Sequence, residues 1–360
     1  MQRKIFFDLS FIADRRVTGV ERFALEIYRE LEAQSPGEVV ALLPNGEVGL
    51  FPGGRSIELA FKSKVLNQML GVPMALARIG PATVVFPSFA PSPLCWLLRS
   101  KKMVRVVHDT VFWERAKTLS VKARLYLKPL EQWWMSRYGA VATVSHYSKS
   151  SIIRLFPYLK DRLSVVPNAV SPSVTHSSEV PSVGKFLLSV GTIEPRKNFE
   201  FLIRVFETLA ESDHDLHLVI CGRMGWGYES LMVAQRNSSF SKRILVFTSV
   251  TDAQLSGFYA HCAAFIFPSF EEGFGIPLIE AMFHGRAVVA ANNSAITEIV
   301  ADAGTLVDGY VEAEWVEKIR LSLAKADSAD VVAAAVERSK CYSWQQSARE
   351  MKKVIDSVGE

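Results

Sequence analysis

The sequence predicts an α/β protein built from two doubly wound parallel sheets, and three observations support this. Short β-rich runs alternate with amphipathic helical runs along the chain, which is the order expected of βαβ units. Most β-rich runs are continuous stretches of Val, Ile, Leu and Phe, as expected for strands that are buried on both faces. At 360 residues, the chain also exceeds what one hydrophobic core usually holds, so we expect two domains.

The first half of the chain contains six candidate strands. In chain order they are "KIFFDLS", "EVVALL", "TVVFPS", "MVRVVH", "AVATVS" and "RLSVVP". The run "GVERFALEIYRELEA", between the first two, has the apolar spacing of an amphipathic helix. Residues 79–98 carry no charge, but their prolines exclude a lone membrane-spanning helix, so we predict a buried strand followed by a loop.

The second half repeats this pattern after a break at residues 168–184, which are rich in Ser, Pro and Val. Five candidate strands follow: "KFLLSVG", "LHLVIC", "ILVFTS", "AFIFPS" and "AVVAA". The run "NFEFLIRVFETLAES" predicts an amphipathic helix, and "YSWQQSAREMKKVIDSV" predicts a final helix with Ser343 as its N-cap. We therefore expect a first domain over residues 1–170, a second over 184–341, and a C-terminal helix over 342–360 that crosses back to the first domain.

Composition limits the classes of function. The apolar fraction of 49% and the charged fraction of 22% are typical of a globular protein. A net charge of +4 favours anionic substrates or a membrane surface, but it is too small to indicate binding to nucleic acid. The four cysteines lie far apart without a C-x-x-C pair, which predicts reduced, buried thiols. The N-terminus reaches Asp8 after three apolar residues and does not fit a signal peptide, so we expect a cytoplasmic protein that is at most peripheral on the membrane.

The most informative stretch is "EEGFGIPLIEAMFHG", residues 271–285. Pro277 suits the start of a helix and Gly285 suits its far end, so we predict a helix over residues 277–284. Glu280 would then lie in the first turn of this helix, and Glu272 in the loop before it.

The glycines of this stretch indicate an anion-binding loop. Gly273 and Gly275 allow the backbone to approach a ligand closely, and the N–H groups at the start of the helix attract an anion. Carboxylates for hydroxyl groups and amides for phosphate would suit a sugar nucleotide. Ligands of open parallel sheets bind at the carboxyl ends of the strands. Polar or small residues end several predicted strands: His108 with Asp109, Ser145, Asn168, Gly191 and Ser269.

With these motifs the chain resembles glycosyltransferase family 4, the retaining nucleotide-sugar transferases with a GT-B fold. The resemblance is carried by "SVGTIEPRKNFEFLIRVFETL", "FPSFEEGFGIPLIEAMFHGRAVVAANNSAITEIVADAGTLVD", "TVSHYSKSSI", "VVPNAV" and "TGVERF". The family's pair of glutamates, separated by seven residues, matches Glu272 and Glu280. The resemblance spans nearly the whole chain and implies two Rossmann-like domains that face a cleft.

The resemblance implies that the second domain binds the nucleotide-sugar donor. Glu272 would contact the sugar hydroxyls, and Glu280 would hold the ribose. The amides of the loop from Gly273, around Phe274 and Gly275, would meet the phosphates. Glu280 could also be an ordinary glutamate that complements the helix dipole.

The resemblance also implies cations beside the diphosphate. The family often has an arginine directly after the glycine that ends this domain's first strand, but here Thr192 follows Gly191. We therefore assign neutralisation of the diphosphate to Arg196 and Lys197, with Gly191 lining the same site. The alternative is that both cations are surface charges before a helix.

In the first domain, the resemblance implies that His108 lies beside the transferred sugar and that Ser145 lines the same cleft. Gly19 would let the backbone approach the diphosphate and the acceptor, although the family often has two glycines there and this chain has one. Ser145 could equally cap the helix that begins "HYSKSSIIRLF", and His108 could bond a backbone group.

The function implied is transfer of a hexose, with retention, from a nucleotide diphosphate to a glycan or lipid-linked saccharide in polysaccharide synthesis. No cofactor and no metal ion are expected, because Arg196 and Lys197 supply positive charge. The run "GTIEPRKN" most resembles mannosyl- and rhamnosyltransferases, so GDP-mannose is the first expected donor. A lipid-linked acceptor would add weak contact with an anionic membrane. Two alternatives stay open: a retaining glycoside hydrolase that uses Glu272 and Glu280, and a non-catalytic nucleotide-sugar-binding module.

Three other patterns have simpler structural interpretations. Asp213 and Asp215 form an Asp-x-Asp pattern that binds metals elsewhere, but they precede a strand, so we predict a turn. The run "GRMGWG" follows a strand but is not the Gly-x-Gly-x-x-Gly dinucleotide pattern. A tryptophan pair with basic residues upstream fits either an interfacial membrane helix or ordinary packing. These residues are Trp133, Trp134, Lys122, Arg124 and Lys128.

Overall fold

The structure is a computed structural model, and it describes residues 4–12, 18–46, 54–98, 100–110, 113, 128–170 and 183–358. The chain divides into two compact units. Unit 1 comprises Met1–Ala169 and Trp344–Glu360, and unit 2 comprises Val170–Ser343. Each unit contains one parallel sheet with helices, which confirms the predicted pair of doubly wound layers.

In the described part of unit 1, seven parallel strands form one sheet in the order β3-β2-β1-β4-β5-β6-β7. The strands are β1 (Lys4–Asp8), β2 (Val39–Leu43), β3 (Arg55–Glu58), β4 (Ala82–Phe86), β5 (Lys101–Val107), β6 (Ala140–Thr143) and β7 (Leu163–Val165). Every residue of β2 and β4 is buried, as their continuous apolar sequences predict. The chain order reverses between β1 and β4, which is where such sheets bind ligands.

The helices of unit 1 begin with α1 (Gly19–Gln34), whose N-cap Thr18 forms a capping box with Glu21. The next segment runs through α2 (Lys64–Leu66), a π-helical turn (Asn67–Gly71) and α3 (Val72–Ala77). After these come 3₁₀ turns and two further α-helices: Pro93–Leu97, α4 (Lys128–Met135), α5 (His146–Leu155) and Pro157–Arg162.

In the described part of unit 2, six parallel strands form a sheet in the order β10-β9-β8-β11-β12-β13. They are β8 (Phe186–Val190), β9 (His217–Cys221), β10 (Ile244–Phe247), β11 (Ala264–Phe267), β12 (Val288–Ala291) and β13 (Thr305–Val307). The chain order reverses between β8 and β11, so the carboxyl ends of these two strands mark the expected ligand position.

Helices α6 to α12 belong to unit 2. They are α6 (Phe199–Ser212), α7 (Tyr228–Asn237), α8 (Asp252–His261), α9 (Ile276–Phe283), α10 (Ser294–Val300), α11 (Glu312–Lys325) and α12 (Ala329–Lys340), with 3₁₀ turns at Pro195–Lys197 and Ser241–Arg243. The last helix, α13 (Trp344–Asp356), belongs to unit 1. Its Trp344 ring lies 6.1 Å from the ring of Phe23 in α1.

Several sequence expectations need correction or fall outside the described residues. Strands β3 and β13 were not predicted. The cysteines are unpaired, but Cys341 is exposed rather than buried. Trp134 is buried and stacks on Tyr138 at 5.7 Å, so for this residue the packing interpretation is right and the interfacial-helix interpretation is wrong. Lys122, Arg124 and most of the 168–184 break lie outside the described residues. No helix among the described residues is long and apolar enough to cross a membrane.

Candidate functional site

A buried cluster of ion pairs lies at the carboxyl ends of β8 and β11. Oε1 of Glu272 is 2.6 Å from Nζ of Lys197, and its Oε2 is 2.7 Å from Nη1 of Arg196. Arg196 also pairs with Glu194 at 2.7 Å. We call Glu194, Arg196, Lys197 and Glu272 the ion cluster. Lys197 is 7% exposed and Glu272 is 6% exposed, so the interpretation of Lys197 as a surface charge is wrong.

A short turn and one glycine bring Lys197 into the cluster. The 3₁₀ turn Pro195–Lys197 follows β8 and ends at Asn198, whose φ of 57° is left-handed. The Lys197 side chain then runs past Gly191, where an added Cβ would lie 2.9 Å from Cε of the lysine. The ammonium lies 5.1 Å from the centre of the Phe267 ring. Gly191 therefore leaves space for Lys197, which is a reason for a glycine at this strand end.

The ion cluster strongly shifts the pKa of Glu272. Burial alone would raise the pKa of Glu272, but the charges and hydrogen bonds of Lys197 and Arg196 outweigh it and lower the pKa to about 2. Burial lowers the pKa of Lys197, and the Glu272 carboxylate opposes this. With two cations and two carboxylates, the cluster's formal charges cancel. Glu272 is therefore ionised across the physiological range and cannot serve as a proton donor there.

The glycine-rich loop beside the cluster is held by backbone contacts. The Glu272 amide donates to Oγ of Ser294 at 3.0 Å, and its carbonyl accepts from the Ala295 amide at 3.3 Å. Gly275 has a φ of 104°, which favours glycine, and is the N-cap of α9. The buried Phe274 ring packs edge-on against Tyr342, with centroids 5.4 Å apart. The loop is thus held by Ser294 and Ala295 at Glu272 and by Tyr342 at Phe274.

Glu280 does not lie in the first turn of its helix, which corrects the sequence analysis. The helix α9 begins at Ile276, so Pro277 is its second residue and Glu280 its fifth. The helix-dipole interpretation of Glu280 is therefore wrong, because that effect falls off within the first turn. Oε2 of Glu280 instead accepts a 2.8 Å hydrogen bond from the hydroxyl of Tyr259, whose ring is buried and stacks on His284 at 5.9 Å.

A second loop supports the site and was missed by sequence reasoning. The side-chain amide of Asn293 donates to the Ser269 carbonyl at 3.1 Å, and the Tyr310 hydroxyl donates to the same carbonyl at 2.9 Å. Ser294, with a φ of 48°, donates to Oδ1 of Asn293 at 2.8 Å. The polar run after β12 was the available signal, because it also stands at a strand's carboxyl end.

In unit 1, His108 directly follows β5. Its Nε2 lies 2.8 Å from the Pro87 carbonyl, and its ring meets Phe23 edge-on at 5.1 Å. Burial lowers the pKa of His108 to about 4, with a smaller contribution from the charge of Arg105. The imidazole is therefore neutral at pH 7. If Nε2 carries the proton for Pro87, Nδ1 is the acceptor nitrogen.

The other two predicted residues of unit 1 have clear local roles. Ser145 is buried and its Oγ accepts from the Ser148 amide at 2.9 Å, so the capping interpretation holds for this side chain. Gly19 is the first residue of α1, as expected. Because β5 and β6 are neighbouring parallel strands, His108 and Ser145, which come after them in the chain, both lie at the carboxyl ends of the strands. The proposed substrate roles of these residues stay predictions.

The Asp-x-Asp pattern lies at the amino ends of the unit 2 strands, opposite the carboxyl ends that carry the ion cluster, as predicted. Asp213 follows α6 and precedes β9, and its Oδ2 is 2.8 Å from Nζ of Lys185. This contact lowers the pKa of Asp213. Within the described ranges, no group of three His, Cys, Asp or Glu side chains is arranged to hold a metal ion.

Two family models match the chain in succession. The model of Glycosyltransferase Family 4 matches residues 17–174, and that of glycosyl transferases group 1 matches residues 175–338. O-antigen chain mannosyltransferase B of Escherichia coli is 28% identical, over 91% of this chain and 93% of that protein. O-antigen chain mannosyltransferase RfbU of Salmonella typhimurium is 24% identical, over 68% and 77%.

Solved glycosyltransferase structures have the same fold. WaaG, a glycosyltransferase involved in lipopolysaccharide biosynthesis, superposes with a TM-score of 0.72 at 16% identity and covers 98% of this chain and 99% of its own. HepE of Anabaena, solved with UDP and glucose, gives a TM-score of 0.74 at 16% identity over 99% and 100% of the two chains. At these identities the likeness concerns the fold alone.

Proposed function

Because the chain belongs to glycosyltransferase family 4, and its second half matches the model of glycosyl transferases group 1, we propose that it transfers a hexose from a nucleotide diphosphate to a glycan or lipid-linked saccharide. The proposed transfer retains the configuration at the anomeric carbon. The setting we propose is the synthesis of a bacterial surface polysaccharide, since two mannosyltransferases named for the O-antigen chain are among its relatives.

The ion cluster is the observation that carries this proposal. A nucleoside diphosphate gains negative charge as its bond to the sugar breaks, and preorganised cations stabilise that charge best where water is excluded. Lys197 is buried and Arg196 is half-buried at the strand ends where such sheets bind ligands. The loop from Gly273 to Gly275 adds backbone amides at the start of α9.

Glu272 couples binding of the sugar to binding of the diphosphate, because it is paired with both cations. Both of its oxygens are paired with Lys197 and Arg196. We propose that donor hydroxyls donate to Glu272 while the diphosphate oxygens accept from the two cations. The sugar hydroxyls would thus become the partners of Glu272, and the diphosphate would become the partner of the two cations. A nucleotide without its sugar would have to compete with the Glu272 carboxylate for these cations.

The bond changes of the proposed reaction balance without a cofactor. The bond between C1 of the sugar and the diphosphate oxygen breaks, and the acceptor oxygen bonds to C1 on the same face. The acceptor proton passes to the departing phosphate oxygen. Arg196 and Lys197 stabilise the leaving charge. The role of His108 beside the transferred sugar stays a prediction.

We further propose that the reaction needs no divalent metal. Metal-dependent transferases hold a cation with carboxylates, but Asp213 lies at the amino ends of the strands and pairs with Lys185. Activity in a chelator would support this proposal. Loss of activity in a chelator that magnesium or manganese restores would contradict it.

GDP-mannose is the donor we propose. The run "GTIEPRKN" and the mannosyltransferase names of the two O-antigen relatives support it. The acceptor class is a glycan or lipid-linked saccharide. If the acceptor is lipid-linked, the protein would also make weak contact with an anionic membrane.

The test is transfer from a panel of nucleotide sugars to saccharide acceptors extracted with bacterial membranes. We expect product from GDP-mannose, with the donor's anomeric configuration retained in the NMR spectrum. An inverted linkage would exclude the retaining mechanism, and product from another donor alone would exclude GDP-mannose. Absence of product from every donor would contradict the transferase proposal.

A retaining glycoside hydrolase, the alternative function, needs one protonated carboxyl as its acid and one carboxylate as its nucleophile. The low pKa of Glu272 excludes this residue as the acid, because two cations hold it as a carboxylate, so Glu280 would have to be the acid. Incubation with the donor and no acceptor separates the two functions. Rapid release of free sugar, with no need of an acceptor, would favour hydrolysis.

A further inference from the structure

The helical segment from α2 to α3 in unit 1 is apolar on its outer side as well as its inner side. Val72 and Leu76 are buried against the sheet, as in any core helix. On the outside, Leu66, Leu70 and Met74 recur every four residues, which aligns them along one stripe. Their exposed fractions are 45%, 40% and 43%. A helix that is apolar all round normally has both sides covered.

The 3₁₀ turn Pro93–Leu97 extends this apolar stripe. The turn follows β4, and it exposes Leu94, Trp96 and Leu97 at 44%, 50% and 66%. It packs against the π-helical turn and α3, so the two sets of exposed apolar side chains lie on neighbouring elements. We call Leu66, Leu70, Met74, Leu94, Trp96 and Leu97 the apolar face. Contiguous apolar surfaces of this kind mark contacts with proteins or membranes.

Aromatic and basic groups border the apolar face. The Trp96 ring lies 6.2 Å from the Trp133 ring, edge to face. The guanidinium of Arg137 lies 4.0 Å above the same Trp133 ring. Tryptophan is enriched at the boundary between lipid headgroups and acyl chains, where its ring has one apolar and one wet side.

The stretch of sequence that carries the apolar face is basic. Between Glu58 and Asp109 the sequence contains no Asp or Glu. The same stretch contains seven basic residues: Lys62, Lys64, Arg78, Arg99, Lys101, Lys102 and Arg105. Of these, Lys62, Lys64, Arg78 and Lys102 are exposed. Lys64 lies 3.9 Å from Glu21, whereas Lys101 and Arg105 are buried and bond backbone carbonyls. Exposed basic groups complement anionic headgroups, and this segment supplies four of them.

From these observations we propose that the apolar face docks unit 1 onto an anionic phospholipid bilayer. Leucine, methionine and Trp96 side chains enter the headgroup boundary, and the surrounding lysines and arginines stay at the phosphate level. Trp134 has no part in this contact, because it is buried. The inference names the surface for the membrane contact that belongs to the proposed function. Vesicle binding is measured without donor or acceptor, so its failure and the failure of sugar transfer are distinguishable.

The experiment compares co-sedimentation of the full chain with two kinds of vesicle, phosphatidylcholine alone and phosphatidylcholine mixed with phosphatidylglycerol. The test variant is Leu66→Ser combined with Leu97→Ser, which changes exposed side chains. The matched control is Val311→Ser combined with Leu321→Ser, which removes two apolar side chains of 54% and 51% exposure in unit 2. Circular dichroism and the melting temperature check that each variant is folded.

We expect the wild type to bind the anionic vesicles, with weaker binding to phosphatidylcholine alone and at high salt. The test variant should bind the anionic vesicles at least about tenfold more weakly, and the control should bind like the wild type. No binding to anionic vesicles at low salt would overturn the proposal, as would equal binding by the test variant. Self-association that the test variant abolishes, without vesicle binding, would assign the face to a second copy of the chain instead.

Discussion

The ammonium of Lys197 lies 2.6 Å from Oε1 of Glu272, and both side chains are buried where β8 and β11 end. Burying two such groups is costly unless each has a partner. The pair is therefore preorganised rather than assembled from mobile surface chains. Single substitutions at or beside this pair therefore test the functional proposal.

Lys197→Ala should lower turnover by about 10²- to 10³-fold, because one preorganised charge that stabilises the leaving group is lost. Steady-state kinetics with saturating donor measures this, and circular dichroism checks the fold. Asp213→Asn is the control, since Asp213 pairs with Lys185 at the amino ends of the strands. It should stay near wild-type turnover. Equal turnover in Lys197→Ala and wild type would remove Lys197 from the mechanism.

Gly191→Ala should also impair turnover, by roughly 10- to 100-fold, without removing any polar group. The new Cβ would lie 2.9 Å from Cε of Lys197, so the lysine side chain must shift from its position in the ion cluster. Gly80→Ala is the matched control, because a Cβ at Gly80 meets no atom within 4 Å. Kinetics and thermal melting of both variants check the prediction. A Gly191→Ala enzyme with normal turnover would mean that the position of Lys197 is unimportant.

Much of the fold was predictable because buried parallel strands have a simple sequence pattern. Runs such as "KFLLSVG" and "AFIFPS" are apolar throughout, since helices cover both faces of the sheet. The missed strands, β3 and β13, both lie at a sheet edge. An edge strand pairs on one side only, so the short and mostly polar "RSIE" of β3 could form one without an apolar pattern.

The site was predictable where local sequence determines it and unpredictable where distant residues meet. Lys197 and Glu272 belong to motifs that can be read directly. Tyr259 belongs to no motif, and its bond to Glu280 arises from the packing of α8 against α9. The start of α9 was predicted one residue late, because a proline is tolerated at its second position as well as its first. That single residue moved Glu280 out of the first turn.

Tyr259→Phe should weaken nucleotide binding about three- to tenfold, because Glu280 loses the hydroxyl that orients its carboxylate. Turnover at saturating donor should change less than affinity, as expected for a positioning residue. Isothermal titration with the nucleoside diphosphate measures the effect. Tyr158→Phe, at a residue 50% exposed in unit 1, is the control. Unchanged affinity in Tyr259→Phe would show that Glu280 does not depend on this bond.

His108 should titrate near pH 4 rather than at its ordinary value of 6.5. Its folded pKa is lowered, so its contribution to stability is complete above about pH 6.5 and is lost as the pH falls toward 4. In this window the free energy of unfolding of the wild type should fall faster than that of His108→Gln, by about 1 kcal/mol per pH unit. NMR titration of the imidazole and denaturation at several pH values check both statements. A midpoint near 6.5 would contradict the lowered pKa of this imidazole.

The most direct measurement for the proposed donor site is the dissociation constant of GDP for Glu272→Gln and Glu280→Gln, together with the turnover of each. Glu272 neutralises Lys197 and Arg196, so its loss should leave GDP affinity unchanged or somewhat tighter while most turnover disappears. Glu280→Gln should instead bind GDP clearly more weakly. If Glu272→Gln loses GDP affinity and Glu280→Gln keeps it, the two carboxylates have the opposite roles. If neither variant changes affinity or turnover, the donor does not bind at the ion cluster.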